Sequence, residues 1–145
     1  MSIDTMSGLA VLQAIRDGQI KHPSIAETMN MRFAEVESGR VMFLAHADER
    51  HLNPAGGVHG GFSATILDSV TGCAVHTMLE PGIPFGTIDL VVKMMRPIPV
   101  NVELFAEGKI INVSRSLGVS EGNIRDANGK IYAHATSTCM IIRNR

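Results

Sequence analysis

From about Gly60 to Met78 the chain reads as one helix in which Asp68 is the single Asp, Glu, Lys or Arg. A helix that is apolar nearly all round has to be buried nearly all round. Phe62, Ile66, Val70 and Cys73 form one apolar stripe, and Leu67, Ala74 and Met78 fill the flanks. Gly61, Ala64, Thr65, Asp68, Gly72 and Val75 lie on another side. The small residues there let a second backbone or a ligand come close. Glu80-Pro81-Gly82-Ile83-Pro84 then stops the helix, because proline lacks the N–H and its ring clashes with the preceding turn. Whatever else the chain does, it must build a layer that wraps this helix.

The rest of the sequence supplies strands for that layer. Residues 31 to 37 and 40 to 46 read as a hairpin turning at Ser38-Gly39. After the helix, residues 86 to 95 alternate, and Pro97 and Pro99 then place a bend or an edge. Residues 101 to 113, 116 to 125 and 130 to 142 read as three further strands, the last two joined by the turn Asp126-Ala127-Asn128-Gly129. Ahead of them, residues 7 to 17 suit a short helix capped by Ser7 and ended by Gly18, followed by a turn at 22 to 25 and a further turn of helix to Met29. The expected fold class is α+β: one domain, a long central helix wrapped by a single antiparallel β-sheet. Its simplest connections are hairpins between the consecutive C-terminal strands. Residues 1–29 form an N-terminal helical segment, and 30–143 form the main body. At 145 residues the chain can bury a core without a metal or disulfide staple.

Composition narrows the function. A formal net charge of -1, with no basic block, gives no reason to expect a nucleic-acid partner. No run of eighteen apolar residues is present, so no membrane span is expected. The N-terminus lacks the pattern of a signal peptide, and two cysteines without short-range pairing suit a reducing compartment; a cytoplasmic protein is expected. His46, His51 and His59 have no zinc-site spacing, so no metal is expected. The glycines do not form G-x-G-x-x-G, and G-x-S-x-G is absent, so neither a dinucleotide cofactor nor a nucleophile elbow is expected. The nine methionines either fill core gaps or line an adaptable surface.

The chemistry concentrates in HLNPAGGVHGGFSATILDSVTGCAV, residues 51 to 75. Glycines 56, 57, 60 and 61 flank Val58-His59 just before the helix begins. The first N–H groups of a helix have no internal acceptor and lie at the positive end of its dipole. Gly60 and Gly61 therefore offer bare donors to a carbonyl oxygen that is gaining negative charge. Asp68 lies eight residues beyond Gly60, about 12 Å by helical rise. That is too far for both to hold one small reacting centre within one chain. Two such helices antiparallel across a two-fold axis would bring Gly60 of one to Asp68 of the other, a site at a dimer interface.

This segment resembles the PaaI-type branch of the hotdog-fold thioesterases, the phenylacetic acid degradation-related acyl-coenzyme A hydrolases. The resemblance rests on Asn53, Gly56 or Gly57, His59-Gly60-Gly61, Asp68 and Gly72. It continues weakly through GTIDLVVKMMRPI at 86 to 98 and SRSLGVSEGNIRDANGKIYAHATST at 114 to 138. It implies a hotdog fold, no cofactor, and assembly as a homodimer that pairs into a homotetramer. It implies hydrolysis of acyl-CoA with aromatic or medium-chain acyl groups. Asp68 would be nucleophile or general base, and the Gly60 N–H would polarise the thioester carbonyl beside that of Gly61. Asn53 would position water or carbonyl, unless it only forms an Asx turn. Thr87 would orient water or substrate beside the carboxylate of the partner helix, unless it only serves the strand. His59 would fix the loop through a ring hydrogen bond or stand near the carbonyl. Phe62, Thr65, Met78 and Leu79 would line the acyl pocket. Lys93, Arg96 and Arg115 would meet the coenzyme A phosphates, the bland alternative being solvated surface cations. Two other functions compete: an acyl-thioester hydratase or dehydratase, and a non-catalytic acyl-CoA binding protein.

Overall fold

The computed structural model describes residues 2–144. Three short helices precede or punctuate the first strands: a 3-10 turn at Ile3–Thr5, α1 at Gly8–Arg16 and α2 at Ser24–Thr28. The Ser7 side chain caps α1 by accepting from the Ala10 N–H at 3.2 Å. Then come β1 (Met31–Glu37), β2 (Arg40–Ala45), α3 (Gly60–His76), β3 (Phe85–Met94), β4 (Leu104–Val113), β5 (Leu117–Arg125) and β6 (Ile131–Ile141). The strands form one antiparallel sheet in the order β1-β2-β4-β5-β6-β3. It curls around α3, the hotdog arrangement that the sequence implied.

The sheet's inner face shows why the helix fits. Val41, Phe43, Leu104, Ala106, Ile124, Ala133 and Ala135 are buried against Phe62, Ile66, Leu67 and Val70 of α3. Small side chains run down the middle of that face, and at Gly108 the approach is closest. A Cβ there would lie 2.1 Å from the Val70 carbonyl oxygen, so helix and sheet can touch only at glycine. Register shifts in β1, β3, β4 and between β5 and β6 mark bulges, which bend and twist a sheet. The first hairpin turns where expected, with Gly39 at φ +80. Its N–H donates to the Thr77 hydroxyl at 2.8 Å, which ties the turn to the end of α3.

Two expectations about the C-terminal half are corrected. β3 does not pair with β4: it lies at the far edge beside β6, and β4 lies beside β2. The strand expected from residue 101 begins at Leu104. The cause is the segment after Pro97 and Pro99. Val100 bridges Ala47 at the end of β2, and the Asn101 N–H donates to the Ala47 carbonyl at 2.7 Å. Asn101, at φ +57, then turns the chain into β4. The prolines thus mark a crossover rather than a hairpin. Among the described residues no helix is long and apolar enough to cross a membrane.

β3 is therefore an edge strand ten residues long. Leu90 and Val92 pack on the core. Ile88, Val91 and Met94 are 56%, 47% and 54% exposed. A long apolar strand with a free hydrogen-bonding edge is a surface prone to pairing with another strand.

Candidate active site

The loop before α3 is held by side chains acting on backbone. The Asn53 Oδ1 accepts from the Ala55 and Gly57 N–H groups at 3.0 and 3.2 Å. Asn53 thus makes the Asx-type turn that the sequence left as an alternative. Buried His51 pins the other strand of the loop. Its Nδ1 accepts from the Asp48 N–H at 3.0 Å, which leaves Nε2 as the donor to the Thr28 carbonyl at 2.8 Å. Its backbone carbonyl accepts from the His59 N–H at 2.8 Å. No motif in the sequence marks this role of His51.

His59 is the N-cap of α3, and its Nδ1 accepts from the Gly61 N–H at 2.7 Å. A ring hydrogen bond does fix this loop, as the sequence reading allowed. It also occupies the Gly61 donor. The Gly60 N–H has no acceptor among the described residues. Gly60 packs under Met94, where a Cβ would come within 2.9 Å of the sulfur. A cleft of about 350 Å³ opens beside it, lined by His59, Gly60, Ser63, Met94, Arg96 and Pro97 among others.

Asp68 lies two turns further on, half-buried on the outer side of α3. The Thr87 hydroxyl donates to its Oδ1 at 2.8 Å. Thr87 thus stands beside the carboxylate of its own chain. The bulge between Thr87 and Asp89 and the edge position of β3 next to α3 account for the contact. Behind Thr87 sits Cys139, its cross-strand partner, with Sγ 3.8 Å from the hydroxyl. Cys139 was read from the sequence only as a buried thiol; burial raises its pKa. Both cysteines are free.

The remaining candidates separate. Arg96 lines the Gly60 cleft and donates to the Ile131 carbonyl. Lys93 is exposed on β3 opposite His134. Arg115 donates to the Asn144 carbonyl at 3.2 Å, in the β4–β5 turn. That turn lies where Ile141 meets Ser116, and Ile141 is the partner of Phe85, so Arg115 is at the opposite end of β3 from Met94. Thr65 and Phe62 line a second cleft with Arg50, His51 and Gly61. Phe62 is otherwise a core side chain, 2% exposed, its ring tilted against that of His51 at 4.9 Å. Met78 and Leu79 do not join these two. Leu79 is buried with Val75, Cys139 and Ile141, and the Met78 sulfur accepts from the Ser38 hydroxyl at 3.3 Å. No cluster of potential metal ligands occurs among the described residues.

The site therefore consists of an unpaired helix N-terminal donor, a carboxylate with one oxygen held by a hydroxyl, and clefts flanking the helix start. The sequence profile of the thioesterase superfamily matches residues 55–133, which contain Gly60, Asp68 and Thr87. The chain is 25% identical over 101 residues to acyl-coenzyme A thioesterase 13 of Homo sapiens, covering 69% of this chain and 71% of that protein. To acyl-coenzyme A thioesterase 13 of Mus musculus it is 27% identical over 92 residues, covering 63% and 65%. Among solved structures it is similar to a phenylacetic acid degradation-related protein from Ralstonia eutropha JMP134, with a TM-score of 0.81 and 28% identity over 89% of this chain and 98% of that one. The E. coli PaaI protein from the phenylacetic acid degradation operon shares the fold, with a TM-score of 0.81 at 15% identity over 95% and 98% of the two chains.

Proposed function

Since the chain belongs to the thioesterase superfamily, we propose that it hydrolyses acyl-coenzyme A thioesters to free acid and coenzyme A through Asp68. The observation that carries this reading is the Thr87–Asp68 hydrogen bond beside a helix whose first donor is unpaired. With Oδ1 held by Thr87, the other carboxylate oxygen is presented outward. It either takes a proton from water as the water adds to the carbonyl carbon, or adds to that carbon itself. In both routes the carbonyl oxygen gains negative charge, and the Gly60 N–H at the dipole-positive helix end stabilises it. The C–S bond then breaks and the coenzyme A thiolate leaves; the first route yields the free acid directly, and the second leaves a mixed anhydride on Asp68 that water hydrolyses to the free acid, restoring the carboxylate. Asn53 shapes the loop that presents Gly60, and Arg96 at the cleft mouth suits a phosphate of coenzyme A.

One chain supplies half of this site twice, because Gly60 and Asp68 are about 12 Å apart along α3. The reading therefore includes a two-fold dimer in which Gly60 of one protomer serves Asp68 of the other. The exposed edge of β3 and the small residues Gly61, Thr65 and Gly72 on the outer side of α3 support it. Pairing of dimers into a tetramer is part of the same proposal. A hydratase would pair its carboxylate with a histidine placed to shuttle the proton, whereas His59 lies nine residues before Asp68 and its Nδ1 is engaged by the Gly61 N–H, leaving only Nε2 for that role. The test is release of coenzyme A from acyl-CoA thioesters, with the oligomer measured by light scattering. Activity in a dimer or larger assembly supports the reading, and an active monomer refutes the shared site.

A further inference from the structure

Away from the clefts at the start of α3, the N-terminal segment encloses a separate cavity of about 370 Å³. Ile15 of α1, Ile25 and Ala26 of α2, and Met31, Phe33 and Phe43 of the first hairpin form most of its wall. Phe33 and Phe43 close one side as an edge-to-face pair with ring centroids 4.4 Å apart. Its remaining wall is α3 itself, through Ser69 and Cys73.

That wall connects the cavity to the chemistry. Ser69 directly follows Asp68, and Cys73 lies less than two turns beyond it. The Cys73 thiol is pushed up to about 12, first by burial and then by the Asp68 charge, so the carboxylate's field reaches the cavity wall. The charged side chains on the lining are Arg16 and Arg32, which face Asp17 at 2.9 Å and Glu103 at 3.7 Å, and no acidic side chain lines it. The space is apolar, adjacent to the proposed carboxylate, and of a volume usual for a small-molecule site.

We infer that this cavity receives the acyl group of the substrate as an uncharged, apolar chain. Residues of the N-terminal segment then set chain-length preference from outside the stretch that matches the superfamily, 55–133. Ile25, Ala26 and Phe33 are specificity-determining residues. The inference rests on the thioesterase reading above. It also replaces the acyl pocket that the sequence suggested around Phe62 and Met78.

The experiment compares kcat/KM for dodecanoyl-CoA and butyryl-CoA in the wild type, Ala26→Phe and Ile25→Asp. It adds calorimetric binding of the non-hydrolysable thioether dodecyl-CoA. Ala26 is buried, and filling its side of the cavity tests volume; Ile25 is 42% exposed, so its change to Asp tests polarity with little demand on folding. The wild type should prefer dodecanoyl-CoA, and each variant should lower the dodecanoyl-to-butyryl ratio by ~10-fold or more. Dodecyl-CoA affinity should fall in parallel. An unchanged ratio in Ile25→Asp, with hydrolysis intact, overturns the inference and leaves the thioesterase reading standing. If the wild type cleaves neither these two nor any aromatic acyl-CoA thioester, the thioesterase reading fails. The binding arm then decides the cavity alone: equal dodecyl-CoA affinity in wild type and Ile25→Asp overturns it, and a loss in Ile25→Asp supports it.

Discussion

Replacing Thr87 with Val removes one atom's chemistry while keeping the side-chain shape and its suitability for a strand. The lost contact is the 2.8 Å donation to the Asp68 Oδ1. A hydrogen bond to a charged group contributes about 1.5–3 kcal/mol, and Thr87 is exposed, so the low end applies. If the bond orients the carboxylate for attack or proton removal, about 1.4 kcal/mol appears as a roughly tenfold fall in the chemical step. KM should change little, because Thr87 acts through Asp68 and not on the bulk of the substrate. Thr87→Ser should recover most of the loss. The assay is steady-state coenzyme A release with a thiol reagent for the three proteins, beside thermal unfolding. A stability change of about 1 kcal/mol would lower Tm by only about 4 °C, so unfolding cannot account for a tenfold loss at 25 °C. Wild-type turnover in Thr87→Val, or a rise confined to KM, would refute the orienting role.

Three further outcomes follow from other parts of the structure. Gly60→Pro deletes the proposed oxyanion donor at a position where proline suits a helix start, and His59 at ψ 139 is compatible with a following proline. Turnover should fall by ~10²-fold or more with helical circular dichroism retained, whereas Gly60→Ala, with the same Cβ against the flexible end of Met94, should keep far more activity. Val91→Lys places a charge on the exposed edge strand and should convert the assembly to inactive monomers, read by light scattering together with turnover. Glu107 provides a pH test. Burial opposes its ionisation, but Arg40, Lys109 and Arg125 outweigh burial and hold its pKa below the ordinary value. A folded pKa below the unfolded one gives stability that is present above the unfolded value, near 4.5, and is lost as pH falls through the folded one. Glu107→Gln should thus lower Tm at pH 7 and lessen the drop in Tm between neutral and strongly acidic pH. An unchanged acid limb would contradict this.

The legible parts of the sequence were those fixed locally. A run from Gly60 without Asp, Glu, Lys or Arg except Asp68 can only be a buried helix, and Ser38-Gly39 between alternating strands can only be a tight turn. The partner of β3 was not legible, because Pro97 and Pro99 signal a break but not its direction. Only the docking of Val100 on Ala47 makes that break a crossover. The same blindness hid the Thr87 contact, which exists because the edge strand returns beside its own α3. Nothing in the sequence singles out Glu107 from the other residues of its strand. Its burial to 9% exposure depends on Arg40, Lys109 and Arg125, which come from three different strands. The cavity behind α1 and α2 was likewise invisible, since it arises from how two short helices dock and not from any motif.

The central claim is thioester hydrolysis through Asp68, and its most direct test is coenzyme A release from a panel of short-chain, medium-chain and aromatic acyl-CoA thioesters by the wild type, Asp68→Ala and Asp68→Asn. Release by the wild type that falls ~10²-fold or more in both variants, with the fold and the oligomer unchanged, is the predicted result. Equal release by all three proteins would contradict the assignment of Asp68, and no release from any thioester would contradict the function itself.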